Sequence, residues 1–219
     1  MNDIDKFLKS NIDNKYRLFI LSLIPNVDDS YILGVRAPLL KSYAKKVDKS
    51  YLNILPHKYY EEYLLHIYMI NNINNFDEVI FYLDKLLPYL KTWSETDAIN
   101  PKAFNKRNDK MLDYFYKLLK HPNSYAKRLG VRMLMKYFLG DYFKIEYLEK
   151  VLLLYGESYY LDMMVSWYLT EGLINNYKDF YSYLNNNNIP SKLLSMTIRK
   201  SLDSYKLDKI KKEEIRKLK

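Results

Sequence analysis

The chain has 219 residues, 48% of them hydrophobic, with no cysteine and only 5 glycines. That is enough for one folded domain or an array of repeats, and it excludes a disordered chain, a disulfide framework and a thiol nucleophile. Thirty-five Lys and Arg against 26 Asp and Glu leave a net charge of +9, which raises nucleic acid or an anionic membrane as a partner. Abundant Asn, Lys, Ile and Tyr would scatter lysines everywhere, however, so clustering rather than net charge has to decide.

Leu, Lys, Tyr, Glu and Met recur at helical spacing, and no Val/Ile/Thr-rich alternating run suggests a strand. The fold class expected is all-α. Apolar periodicity and the breaks at proline, asparagine and polar clusters predict helices over 2–9, 14–24, 37–47, 58–71, 76–90, 93–99, 107–120, 124–139, 144–155, 158–172, 175–185, 190–202 and 207–218. Asp13 or Asn14 and Asn123 are suited to N-caps, and Pro25, Pro56, Pro122 and Pro190 fall where helices start or stop. The N-terminal segment has acids near its start and only a short apolar run, unlike a signal peptide or a membrane span of about 20 apolar residues. A soluble, cytoplasmic protein is expected.

No linker separates two domains, so residues 1–219 read as a single domain. The pattern fits HEAT-like antiparallel helix pairs stacked into a curved α-solenoid, with a compact helical bundle as the competing arrangement. A solenoid would leave one concave surface for a partner.

Several chemistries are missing. Neither G-x-G-x-x-G nor G-x-x-x-x-G-K-[ST] occurs, and His57, His66 and His121 lack metal-ligand spacing. No serine lies in a nucleophile-elbow context. No metal or organic cofactor is expected, and any enzyme here would work with carboxylates, aromatics and cations.

Two features remain. In "NSYAKRLGVRMLMKYF", Arg128, Arg132 and Lys136 fall at i, i+4 and i+8 with Lys127 beside them, and no acid lies within 124–140. Most such stripes are solvated helix faces. This one also suits a phosphate backbone. Arg199, Lys200 and Lys206 could extend it, and Lys102, Lys106 and Arg107 form another patch. The second feature is the pair of tryptophans. Trp93 stands four residues before Asp97 in "KTWSETDAI", hence on one helical face, and Trp167 lies in an apolar helix with Asp162 and Glu171. Each indole alone is most simply a packed core residue. With a carboxylate alongside, indoles also suit a cationic ligand or a sugar on which positive charge develops.

At these residues the chain resembles a family. "YILGVRAPLLKSYAKKV" (31–47), "TWSETDAI", "YAKRLGVRMLMKYF", "YYLDMMVSWYL" and "IRKSLDSYKLDKIKKEEIRKLK" resemble, in order and across nearly the whole chain, segments of the bacterial HEAT-like DNA alkylation repair proteins of the AlkD type. "SWYLTEGL" and the closing segment are closest to a short subgroup, and the chain opens almost directly in its first helix pair. The resemblance implies a DNA glycosylase that hydrolyses the N-glycosidic bond of cationic N3- or N7-alkylpurines without a deep base pocket. Asp97 would be the catalytic carboxylate, Trp93 and Trp167 would flank the damaged nucleotide, and Arg128 would hold a nearby phosphate. Double-stranded DNA, alkylated or distorted, would be the partner of a monomer, with no cofactor. The alternative is a catalytically silent HEAT-like protein recognising damaged, bent or branched DNA. A protein-interaction scaffold would need an apolar concave face instead.

Overall fold

Helix-forming segments separated by proline and asparagine fold as the periodicity requires. In the computed structural model, which describes residues 3–106 and 109–218, the protein is all-α: thirteen α-helices, short 3₁₀ turns and no strand among the described residues. None of these helices is long and apolar enough to cross a membrane. The chain divides into two compact units, Met1–Met111 and Leu112–Lys219, and in each the helices pack mainly on helices one or two places away in sequence, in the manner of an α-solenoid.

The first unit holds α1 (Asp3–Ser10), α2 (Asn14–Leu23), α3 (Ala37–Tyr43), α4 (Tyr60–Asn71), α5 (Phe76–Leu86) and α6 (Trp93–Ala98). The hub is α4, apolar on nearly every side and packed by α3, α5 and α6. The segment between α2 and α3 is stitched down by polar groups. Glu61 of α4 is buried and accepts from the backbone N–H groups of Leu33, Gly34 and Val35, at 3.0, 2.6 and 3.3 Å. Arg17 donates to the Ile32 carbonyl at 2.8 Å. Gly34 takes φ +93, and a Cβ there would lie 2.6 Å from both the Asp13 carbonyl and Arg17 Cβ. Only glycine fits that turn. The "LGVR" element is therefore a structural clasp.

The second unit holds α7 (Lys110–Leu119), which begins at the boundary, then α8 (Ser124–Tyr137), α9 (Ile145–Leu152), α10 (Tyr159–Asn175), α11 (Tyr177–Asn186), α12 (Ser191–Asp203) and α13 (Lys209–Ile215). Helix α10 lies between α8 and α12. On the back of this row α7 meets α8 at Gly130, where an added Cβ would lie 2.8 Å from Leu119. Likewise α11 meets α10 at Gly172, where a Cβ would overlap the Phe180 ring. The turn after α8 is fixed by Asn176, which donates to the Gly140 carbonyl and accepts from its N–H at 3.0 and 2.7 Å.

Every expected helix has a counterpart, and the differences lie at ends. The segment expected over 76–90 gives up its helix at Leu86 for a 3₁₀ turn containing Pro88. The helix expected over 37–47 ends at Tyr43, and the last one starts only at Lys209, because Asp208 caps it by accepting from Lys211 N. Arg107 lies outside the described residues.

Candidate functional site

The "KTWSETDAI" segment builds its helix from its own side chains. Thr92 caps α6 by accepting from Glu95 N at 3.1 Å, and Glu95 answers by accepting from Thr92 N at 2.9 Å and Lys91 N at 2.8 Å. This is a capping box. The other oxygen of Glu95 accepts from the Tyr31 hydroxyl at 2.5 Å. Burial pushes the Glu95 carboxyl pKa up, against the pull of those donors. The Tyr31 hydroxyl is likewise raised, by burial first and by Glu95 second. Two further bonds clamp α6 onto α4: Tyr60 Oη to Ser94 Oγ at 2.8 Å, and Asn71 Nδ2 to the Ala98 carbonyl at 2.8 Å.

On this fixed turn Trp93 and Asp97 share one face, one helical turn apart, and both are half-exposed. The Trp93 indole N–H donates to the Leu23 carbonyl at the end of α2, at 3.2 Å. Its polar edge is thus engaged while part of the ring remains open. Of the segment's two acids, Glu95 is fully buried and Asp97 is half-exposed.

The basic stripe of α8 does not behave as a unit. Arg128 is only 5% exposed and donates to the Tyr160 carbonyl at 2.7 Å, tying α8 to the first turn of α10. Lys127 pairs with Glu157 at 2.5 Å, so an acid absent from 124–140 comes from the loop before α10. Arg132 and Lys136 stay on the accessible side and line a groove of about 390 Å³ with Met135, Leu139, Trp167 and Glu171. Trp167 is 38% exposed on a helix otherwise buried nearly all round. Gly130 and Arg132 are two positions apart, so they project from nearly opposite sides of α8. The groove therefore opens on the face of α8 turned away from α7. Glu171 would oppose an anion there, but Lys206 stands 3.6 Å from it.

The remaining expected residues fall elsewhere. Arg199 is exposed and Lys200 half-exposed on α12, outside the groove lining. Asp162 accepts from Gly156 N at 2.7 Å and closes the turn before α10. His57 and His66 are buried together, His57 Nε2 to His66 Nδ1 at 2.9 Å, with Tyr51 Oη 3.3 Å from His57 Nδ1. Burial lowers their pKa values to about 4 and about 3. No group of three His, Cys, Asp or Glu among the described residues is arranged to hold a metal ion.

Sequence reasoning missed the clamps made by Glu95 and Glu61. The first had a signal, since "TWSE" is a capping-box pattern. The second had none, because Glu61 acts on a loop 26–28 residues away. Comparison of the chain with protein-family models, with curated proteins and with solved structures found no match.

Proposed function

We propose that this chain is a DNA alkylation repair protein that binds double-stranded DNA and hydrolyses the N-glycosidic bond of cationic N3- or N7-alkylpurines. The observation that carries the reading is the groove on α8 and α10, where an exposed indole stands with two cations beside Met135 and Leu139, and the one acid of the lining, Glu171, faces Lys206. Cations take backbone phosphate, and an indole face takes a nucleobase, a sugar edge or a cationic purine. Asp97 supplies the carboxylate, beside Trp93 on α6. An alkylated purine already carries positive charge and leaves readily, so the chemistry needs only stabilisation of an oxocarbenium-like sugar and a positioned water. Such a protein works in the cytoplasm at the nucleoid, as a monomer and without a cofactor.

DNA binding without excision is the second reading. It is favoured by Arg128, the cation to which the family resemblance gives a phosphate contact, which is here committed to the Tyr160 carbonyl.

Salt-dependent binding to a duplex tests the groove. Arg132→Ala and Lys136→Ala should each weaken binding and lower the slope of log K against log salt by about 0.9 per lost phosphate contact. Unchanged slopes in both variants would remove the groove from the DNA interface.

A further inference from the structure

The two tryptophans stand in one local pattern. Trp93 lies in "TWSETD" and Trp167 in "SWYLTE", which align as [ST]-W-x-x-T-[DE]. The chain has only four threonines, so Thr96 and Thr170 at the same offset from the two indoles argue against a chance match. The structure repeats with the sequence. Thr96 Oγ1 donates to the Thr92 carbonyl at 3.3 Å, and Thr170 Oγ1 donates to the Ser166 carbonyl at 3.0 Å, the same bond to the residue four before. All four of these side chains are buried. Indole and carboxylate each follow one residue later, about 100° round the helix. There Trp93 with Asp97, and Trp167 with Glu171, reach the surface one turn apart. Each unit thus carries the same element, a buried hydroxyl pair that holds an indole and a carboxylate at its edge.

In the second unit that element sits among cations. Arg132 and Lys136 line the groove with Trp167 and Glu171, and Lys206 Nζ, from the turn between α12 and α13, lies 3.6 Å from Glu171 Oε2. A groove that took phosphate alone would gain nothing from a carboxylate, which repels the anion that the cations attract. A ligand with charge of both signs accounts for the acid: anionic where it meets Arg132 and Lys136, cationic where it meets Trp167 and Glu171. An indole face favours a flat, delocalised cation, and the carboxylate beside it favours an N-alkylated ring over its neutral parent. Lys206 then holds the place of the ligand's cation in the free protein. Its side chain is 48% exposed and that of Glu171 23%, so the pair is weak and readily exchanged.

We propose that Trp167 and Glu171 form a seat for a planar N-alkylated heteroaromatic cation carried on a phosphate chain, with Lys206 as its internal competitor. The seat deepens the DNA reading and rests on it for the phosphate-borne part of the ligand. Its recognition of the cationic ring is testable without DNA.

The probe is 1-methylnicotinamide, a flat ring with a fixed positive charge, and nicotinamide is its neutral control. Each is titrated into the full-length Trp93→Phe protein, in which Trp167 is the one remaining indole, with quenching of its fluorescence as the readout. Saturable quenching by the cation is expected with Kd on the order of 1 mM, and nicotinamide should bind about threefold more weakly or worse. In the same background Glu171→Gln should weaken the cation about threefold to tenfold and leave nicotinamide unchanged. Lys206→Gln should tighten the cation about twofold to fivefold, because it removes the competitor. A purely structural Glu171–Lys206 pair would give no such gain. Four results would each overturn the proposal: quenching that never saturates, equal affinity for nicotinamide, unchanged affinity in Glu171→Gln, or affinity lost in Lys206→Gln. Helical circular dichroism on each variant separates loss of the seat from loss of the fold. Duplex binding, measured on the wild type, keeps the two readings apart. A protein that seats the cation and binds no duplex contradicts the DNA reading and supports the seat, whereas duplex binding without a seated cation does the reverse.

Discussion

Glu95 and Asp97 stand two residues apart and show how position in a helix divides labour between like side chains. Glu95 sits at the third position of α6, where a carboxylate can reach back to the cap, and there it also receives the Tyr31 hydroxyl. Glu95→Ala should cost about 2–4 kcal/mol by leaving the buried Tyr31 hydroxyl and Thr92 N–H, and the part-buried Lys91 N–H, without an acceptor. Glu95→Gln should be nearly neutral. Its carbonyl oxygen can serve both N–H groups while its amide donates to Tyr31, whose hydroxyl can reverse roles. Urea denaturation of the two variants checks this, and equal losses would refute the clamp. The histidine pair gives a pH prediction. Folded-state pKa values of about 4 and about 3 lie below the unfolded value, so protonation favours the unfolded chain. Stability from this pair is complete above the unfolded pKa of about 6.5 and is lost as pH falls towards 4, by roughly 1–2 kcal/mol per histidine between pH 7 and 5. Buried Glu61 and Glu95, with raised pKa values, act in the opposite direction, since the folded state then takes up protons more readily. The contrast between wild type and His57→Gln isolates the histidine effect. The variant should be less stable at pH 7 and show a shallower fall between pH 7 and 5. Parallel pH curves for the two proteins would contradict it.

At the scale of elements, helix positions were legible because apolar spacing and proline breaks are local, and all thirteen expected helices have counterparts. Their ends were less so. The helix expected over 37–47 stops at Tyr43 in an irregular turn, and that over 76–90 stops at Leu86, where a short 3₁₀ turn takes over. Close approaches were not legible at all. Gly34, Gly130 and Gly172 look alike in the sequence, yet each marks a close approach to a different neighbouring segment, at Arg17, Leu119 and Phe180. Gly172→Ala should destabilise the second unit by about 2 kcal/mol or more, because its methyl would enter the space of the Phe180 ring. A melting temperature within a degree of wild type would show that α10 and α11 separate easily. Arg128 carries the same lesson for the site. The i, i+4, i+8 pattern joins it to Arg132 and Lys136, and only the position of α10 reveals that its guanidinium is drawn inward to Tyr160.

For the whole molecule, the two units carry different parts of the proposed activity. The first presents Asp97 on a turn braced by Glu95, Tyr60 and Asn71. The second presents the Trp167 groove. Glycosylase chemistry predicts that binding and hydrolysis separate by mutation. Arg132→Ala should lose affinity and salt dependence together, while Asp97→Asn should keep affinity and lose turnover. The most direct measurement is free base released from a duplex containing 7-methylguanine, wild type against Asp97→Asn, at protein in excess over DNA. We expect release by the wild type and a loss of at least about 10²-fold in the variant, in line with removal of a positioned catalytic carboxylate. No release by a wild type that still binds the duplex, or equal release by both proteins, would contradict the catalytic assignment of Asp97.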